Sequence, residues 1–306
     1  MTLSEGMLIT LPRWDGAHVV VEPPATGPGT WAGAPSALRV GGEVFLAYRL
    51  RRPIGEGRGY ANVIARSSDG IAFTTVAEVH KDRFGGASLE RPALAVTPEG
   101  RWRLYVSVAT PGTKHWRVDL LEADEPEKLG EAPAVTVLPG DATVGVKDPV
   151  LHFDGRGWHL WASVHPLESA EHADRMSTWY ATSPDGVAWT WRGVALAPRS
   201  GAWDARGVRL SAVVPSPDGL SVAYDGRASA EENWEERTGT ATAPLLADGT
   251  FGPMTASLDP PTGSPFAPHG LRYLTAVPGR IYYEGTRADG AHELRTEAAP
   301  RHEGDL

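Results

Sequence analysis

The sequence predicts an all-β fold, a five-bladed β-propeller closed by N-terminal strands that complete the last blade. Two observations carry the prediction. A phrase made of a short strand, a tight turn and a second strand rich in aromatics recurs along the chain. Its clearest copy is Gly145 to Trp161, opened by Asp148-Pro149 and turning at Asp154-Gly155-Arg156-Gly157. The second strands of the copies begin at 44, 102, 158, 220 and 281. That period of roughly 60 residues suits a four-stranded antiparallel unit with one or two elaborated loops. Two stacked β-sandwiches, the alternative, lack so long a period.

Taken in order, residues 7–11 and 17–22 read as short strands and Pro23 to Gly33 as a Pro/Gly-rich loop. The first full unit follows, with strands near 35–40, 44–50, 62–66 and 72–79 and the turn Ser67-Ser68-Asp69-Gly70 before the last. Thr178 to Trp189 echoes Asn62 to Phe73 one period-pair later. The units begin near 34, 91, 148, 209 and 271, and all 306 residues form one domain. The last unit is too short for four strands, so the N-terminal strands must complete it and close the ring. No segment has a period of 3.6; the best candidate, Leu121 to Leu129, contains Pro126 and falls where a third strand and a turn belong.

Composition narrows the function. The 41% hydrophobic and 22% charged fractions are those of a globular protein with a sizeable core. A net charge of −9 with no lysine- or arginine-dense run argues against nucleic acid as partner. The absence of cysteine excludes disulfides, thiolate metal sites and a thiol nucleophile. Neither a secretory leader nor an apolar run of membrane-spanning length is apparent, so the expectation is a cytoplasmic protein without a membrane partner. Oligomeric state is not legible. Eleven tryptophans supply area for wedging sheets together or for stacking sugar rings; Trp31, Trp203 and Trp234 are the candidate platforms.

If each blade runs outward from a central channel, one face collects the starts of the first strands and the loops between second and third strands. Those starts are Ala34, Glu90-Arg91, Lys147-Asp148, Arg209 and His269 to Arg272, and the loops are residues 51–62, 110–116, 165–177, 227–237 and 286–292. The other face receives only tight turns, so function belongs to the first. Asp148, Glu90 and Asp204 are the candidate catalytic carboxylates; Arg91, Arg209, Arg272, His269 and Lys147 are candidate substrate ligands. Three arginines at equivalent blade positions suit a carboxylate, sulfate or phosphate. Each candidate also has a plain structural use: Asp148 accepting backbone N–H bonds, Glu90 and the arginines pairing between blades, Asp204 shaping a turn. His165, His172, His269 and His292 show no tight ligand spacing, so neither a metal nor another cofactor is assigned. Ser67-Ser68-Asp69-Gly70 and Ser183-Pro184-Asp185-Gly186 read as structural hairpin turns.

Lys147-Asp148-Pro149, Ala181 to Trp189, and Phe45-Leu46-Ala47-Tyr48-Arg49 followed by Ile64 to Gly70 resemble the five-bladed propeller glycosidases, the group that includes glycoside hydrolase families 32, 43, 62, 68, 117 and 130. The resemblance covers nearly the whole chain. It implies a base or nucleophile carboxylate at the start of the first inner strand, a substrate-orienting carboxylate in the third blade and a glutamic acid in the fourth. Asp148 matches the third-blade position, whereas the first falls on Ala34 and the fourth on Arg209. Family 130 implies an acid in the second blade, in a Glu-Asp-Pro-Arg phrase that reads Glu90-Arg91-Pro92 here. The expected function is therefore a glycoside hydrolase- or phosphorylase-like enzyme acting on a small glycoside, anionic or neutral, in the central funnel. A non-catalytic sugar- or metabolite-binding pseudoenzyme and a lyase or isomerase using the same face stand as the alternatives.

Overall fold

The computed structural model describes residues 9–299. Its first unit comprises β2 (Trp31–Val40), β3 (Glu43–Arg51), β4 (Gly59–Ser67) and β5 (Thr74–His80). The second comprises β6 (Leu89–Val96), β7 (Trp102–Ala109), β8 (Trp116–Ala123) and β9 (Ala134–Leu138). The third comprises β10 (Val144–Phe153), β11 (Trp158–Pro166), β12 (Ser177–Ser183) and β13 (Thr190–Leu196). The fourth comprises β14 (Gly207–Ser216), β15 (Gly219–Arg227), β16 (Arg237–Pro244) and β17 (Thr255–Ala256). The last comprises β18 (Leu271–Val277), β19 (Arg280–Thr286) and β20 (His292–Ala298), and β1 (His18–Val21) pairs antiparallel with β20 as its fourth strand. Helix is confined, among the described residues, to two 3-10 turns, Lys81–Phe84 and Pro126–Lys128. The strand expected at 7–11 is not formed over its described part, 9–11; residues 7 and 8 lie outside the described residues.

Three of the units are separate four-stranded sheets, and the first and last are joined by a single parallel residue pair, Trp31 with His292. Divided at that pair, the chain makes five antiparallel meanders. Their order around an axis follows from where the core lies. Five apolar clusters each join the sheets of successive units, and the fifth, with Val44, Leu46 and Val63 against Val277, Tyr282 and Leu294, joins the last to the first. Alternation along each strand gives every sheet two apolar faces, and each is covered by a neighbouring sheet.

Polar junctions follow the same cycle. Asn62 donates to the carbonyl of Glu90 (3.1 Å), the Asp148 N–H donates to Ser107 (2.9 Å), and the Leu210 N–H donates to Thr178 (2.9 Å). Thr238 donates to the Leu271 carbonyl (2.9 Å), and the Ala34 N–H donates to Glu284 (2.8 Å). Each satisfies a backbone group that the twist of the inner strands leaves unpaired in the interior. The Ser67 and Ser183 turns are structural, as expected: Ser67 and Asp69 accept the N–H groups of Gly70, Ile71 and Ala72, and Ser183 and Asp185 do the same one period-pair later.

Candidate functional site

Each first strand is bulged at the channel. The pairing register shifts between Gly33 and Ser36, Leu89 and Pro92, Lys147 and Val150, Leu210 and Ala212, and Arg272 and Thr275. A bulge inserts a residue and re-aims consecutive side chains, so two layers arise along the axis. Gly33, Glu90, Lys147, Arg209 and Arg272 form one; Ala34, Arg91, Asp148 and Tyr273 lie in the next. Ala34, Asp148 and Tyr273 take left-handed backbone conformations (φ 53°, 55° and 57°), uncommon for residues with a side chain.

A cavity of about 440 Å³ opens on the first layer. Glu90, Lys147, Arg209 and Arg272 line it, with Arg49 from β3, Tyr273 from β18, and the loops carrying Arg58, Lys114, Asp174, Arg206 and Trp234. Four of the five loops expected on the functional face thus reach it; Arg206 comes instead from the segment before β14, and the expected loop 286–292 is not among the lining residues. Eight cationic side chains line the cavity, Arg49, Arg58, Lys114, Lys147, Arg206, Arg209, Arg227 and Arg272, against four carboxylates, Glu90, Glu171, Asp174 and Glu236. The surplus is positive inside an acidic protein.

The carboxylates at the floor are held by arginines. Glu90 pairs with Arg49 of the preceding blade. Glu236 meets Arg227 (2.6 Å) and Arg272 (2.8 Å), with Arg209 at 3.6 Å. Burial alone would raise its proton affinity, but the charges of Arg209, Arg272 and Arg227 outweigh it and hold the carboxyl well below the usual range. Asp225 accepts two hydrogen bonds from Arg209 (3.1 and 3.2 Å) and one from the Tyr273 N–H (2.9 Å), yet burial keeps its pKa raised.

Asp148 lies one layer below the cavity and does not line it. It is 1% exposed; Oδ1 accepts the Arg91 N–H (3.2 Å), and Oδ2 faces the Tyr273 hydroxyl (3.4 Å), Arg209 (3.7 Å) and Lys147 (3.8 Å). Burial opposes its ionisation, but Lys147, Arg209 and Arg49 hold its pKa below the ordinary value. Lys147 in turn is lowered to about 8 by burial, and its ammonium stands 4.8 Å from the Trp116 ring centre. Asp148 thus positions cations that face the cavity.

Several expectations are corrected. Asp204 is fully buried away from the cavity, bonded by Arg199 (2.8 and 3.1 Å) and the Tyr224 hydroxyl (2.9 Å). Trp203 stacks on Tyr224, where a side chain at Gly226 or Gly239 would strike its ring; it packs blade four and presents no face to the cavity. Trp31 is buried between His292 (4.7 Å) and the guanidinium of Arg51 (4.0 Å). His269 is exposed, with Nδ1 bonded to the Ser264 carbonyl (2.8 Å), and is not among the cavity residues. Arg91 points along the channel in the opposite direction, so the three arginines do not converge: only Arg209 and Arg272 face the cavity.

The residues sequence reasoning missed come from second strands. Arg49, Asp225 and Glu284 pair in register with Gly33, Arg209 and Arg272. A charged residue in an otherwise apolar strand is the one mark they leave in the sequence, and it does not reveal the bulge opposite. Glu284 lies over Gly33, where a Cβ would come 2.0 Å from its Oε2, and accepts the Ala34 N–H. A carboxylate therefore reaches the first-blade position from blade five, although it is clamped by Arg272 (2.7 Å) and His292 (2.7 Å). His165 was grouped with the loop histidines without a role. Its Nδ1 bonds the Ala173 carbonyl (2.8 Å), which fixes the proton there and leaves Nε2 as an unpartnered acceptor beside the cavity; burial lowers its pKa to about 3. Among the described residues, no group of three or more histidines or carboxylates is arranged to hold a metal ion.

No family model matches the sequence, and no curated protein matches it. Solved structures do. A thermostable family-43 glycoside hydrolase is 11% identical, with 94% of each chain covered and a TM-score of 0.69. A family-43 enzyme from Xanthomonas citri, solved with xylose, is 14% identical over 94% of this chain and 92% of that one, with a TM-score of 0.65. The β-1,2-mannobiose phosphorylase of Listeria innocua is 15% identical over 91% of this chain and 93% of its own, with a TM-score of 0.61. The chain has the all-β fold of the glycosidase-like propellers.

Proposed function

We propose that the protein is a carbohydrate-active enzyme of phosphorylase type, taking a small glycoside and an oxyanion together in the 440 Å³ cavity. The observation that carries this reading is the excess of cations over carboxylates lining it. Hydrolysis by a carboxylate pair needs one member protonated near neutral pH. Here Glu236 and Asp148 are both held ionised, and Glu90 faces Arg49. Phosphorolysis needs only one proton donor, because phosphate itself is the nucleophile.

An incoming phosphate also changes Glu90. Its charge competes for Arg49 and disfavours the Glu90 carboxylate, which takes up a proton. Glu90 then gives that proton to the departing oxygen as the glycosidic C–O bond breaks, and a phosphate oxygen bonds to the anomeric carbon. Lys147, Arg209 and Arg272 hold the phosphate, with Asp148 fixing the first two. The β-1,2-mannobiose phosphorylase among the structures of like fold supports the reading. A second reading, proton abstraction from a sugar acid, is favoured by the free Nε2 of His165 among these cations.

The test is a panel of mannosides, xylosides, arabinosides and fructosides, incubated with and without phosphate. Phosphate-dependent release of a sugar 1-phosphate, lowered about 10²–10⁴-fold by Glu90→Gln, is expected. Phosphate-independent hydrolysis contradicts the phosphorylase reading, an unsaturated sugar acid product moves the assignment to the lyase, and no turnover under any condition leaves a binding protein.

A further inference from the structure

Arg91 is left over from the site above, and its surroundings are incomplete. It is 2% exposed, and its Nη2 donates to the carbonyls of Pro35 (3.0 Å) and Ser211 (2.7 Å). Its Nε and Nη1 have no partner, and among the described residues no carboxylate oxygen lies within 4.0 Å of its side-chain nitrogens. Burial lowers its pKa to about 10, outweighing the charges of Asp225 and Asp148 that favour its ionised form, and two of its donors replace their lost hydration with nothing. Ser211, 0% exposed and in the same layer, has a hydroxyl that is likewise unpartnered.

Both residues line a second cavity, of about 420 Å³, at the end of the channel opposite the first. Its walls are the portions of β2, β6, β10, β14 and β18 beyond the bulges, so all five first strands contribute. Apolar and polar groups share them: Leu94, Val150 and Val213 border the cavity beside Arg91, Ser211 and Thr275. The apolar side chains receive an apolar body, and the arginine and hydroxyl groups receive an anionic one. The other titratable lining group, His152, is lowered to about 4 by burial, so it adds no charge near neutral pH.

We propose that this second cavity binds a small monocarboxylate with a compact apolar body. The carboxylate accepts hydrogen bonds from Arg91 Nη1 and the Ser211 hydroxyl and neutralises the guanidinium, while the body lies against Leu94, Val150 and Val213. The site is separate from the phosphate-binding cavity, whose cations face carboxylates, and does not depend on the activity assigned there.

The experiment is calorimetric titration of benzoate into the full chain near neutral pH, with benzyl alcohol as the neutral analogue of the same shape. Saturable one-to-one binding of benzoate is expected, about tenfold or more weaker in Arg91→Met and for benzyl alcohol, and intermediate in Ser211→Ala. Should Arg91→Met fail to fold, Ala37→Leu narrows the cavity from a half-buried wall position without touching the arginine, and abolishes benzoate binding. Lys114→Met, an exposed position of the first cavity, leaves benzoate binding unchanged. The proposal is overturned by absence of saturable benzoate binding, by equal affinity in Arg91→Met or Ala37→Leu, by equal affinity for benzyl alcohol, or by loss of binding in Lys114→Met.

Discussion

Asp148 combines a left-handed backbone, near-complete burial and three cationic neighbours, and its placement was the most legible site feature of the sequence: an aspartate before proline at the mouth of a repeat. What could not be read was depth. Lys147, one residue earlier, reaches the cavity while Asp148 does not, because the bulge turns consecutive side chains to different layers. Asp148→Asn removes the charge that holds Lys147 and Arg209, and a broken buried ion pair costs about 3–5 kcal/mol; a fall in the unfolding midpoint together with weaker phosphate binding is expected. Acid should act through the same groups. The depressed pKa of Asp148 contributes stability that is present above its unfolded value of about 3.9 and lost as pH falls through the folded value. His165, about 3 when folded against 6.5 for the free side chain, adds a second window. Its unfolded form binds the extra proton, so stability falls as pH drops below about 6.5. Denaturant midpoints measured between neutral pH and pH 4 should show this slope, reduced by about one proton in His165→Gln.

At the scale of elements, the period and the hairpin turns were legible because strand alternation and Gly-containing turns leave local marks. The bulges were not. They shift register without changing composition, so the charged residues opposite them, Arg49, Asp225 and Glu284, looked like ordinary strand positions. Asp204 and Trp203 misled for a related reason: Trp-Asp before a first strand resembles a channel-mouth pair, yet Arg199 and Tyr224 capture both inside blade four. Gly33 tests the element-level account. A methyl group there meets Glu284 at 2.0 Å, so Gly33→Ala must push the carboxylate off the Ala34 N–H. Overpacking of this kind costs about 1–3 kcal/mol. Thermal unfolding of Gly33→Ala should report that loss, whereas Gly41→Ala, in an open turn, isolates the backbone effect of a left-handed glycine alone.

For the molecule as a whole, ring closure was predicted from arithmetic: the last repeat lacks a strand and the N-terminus has one to spare. β1 on β20 fills that place, with Trp14 packed over Gly285. Deleting the chain through Glu22 exposes the edge of β20, and the expected result is a lower, broader thermal transition with a tendency to associate. Net charge misdirected less than it concealed. A total of −9 describes the whole chain, while the channel collects arginines and lysines from all five units into one positive cavity, a grouping that only the fold makes visible. That cavity is the central claim, and calorimetric titration of inorganic phosphate at low salt tests it most directly. Saturable binding that weakens with added chloride and drops about tenfold or more in Arg49→Met and in Lys147→Met is the result the account predicts; absence of binding, or binding indifferent to both substitutions, contradicts it.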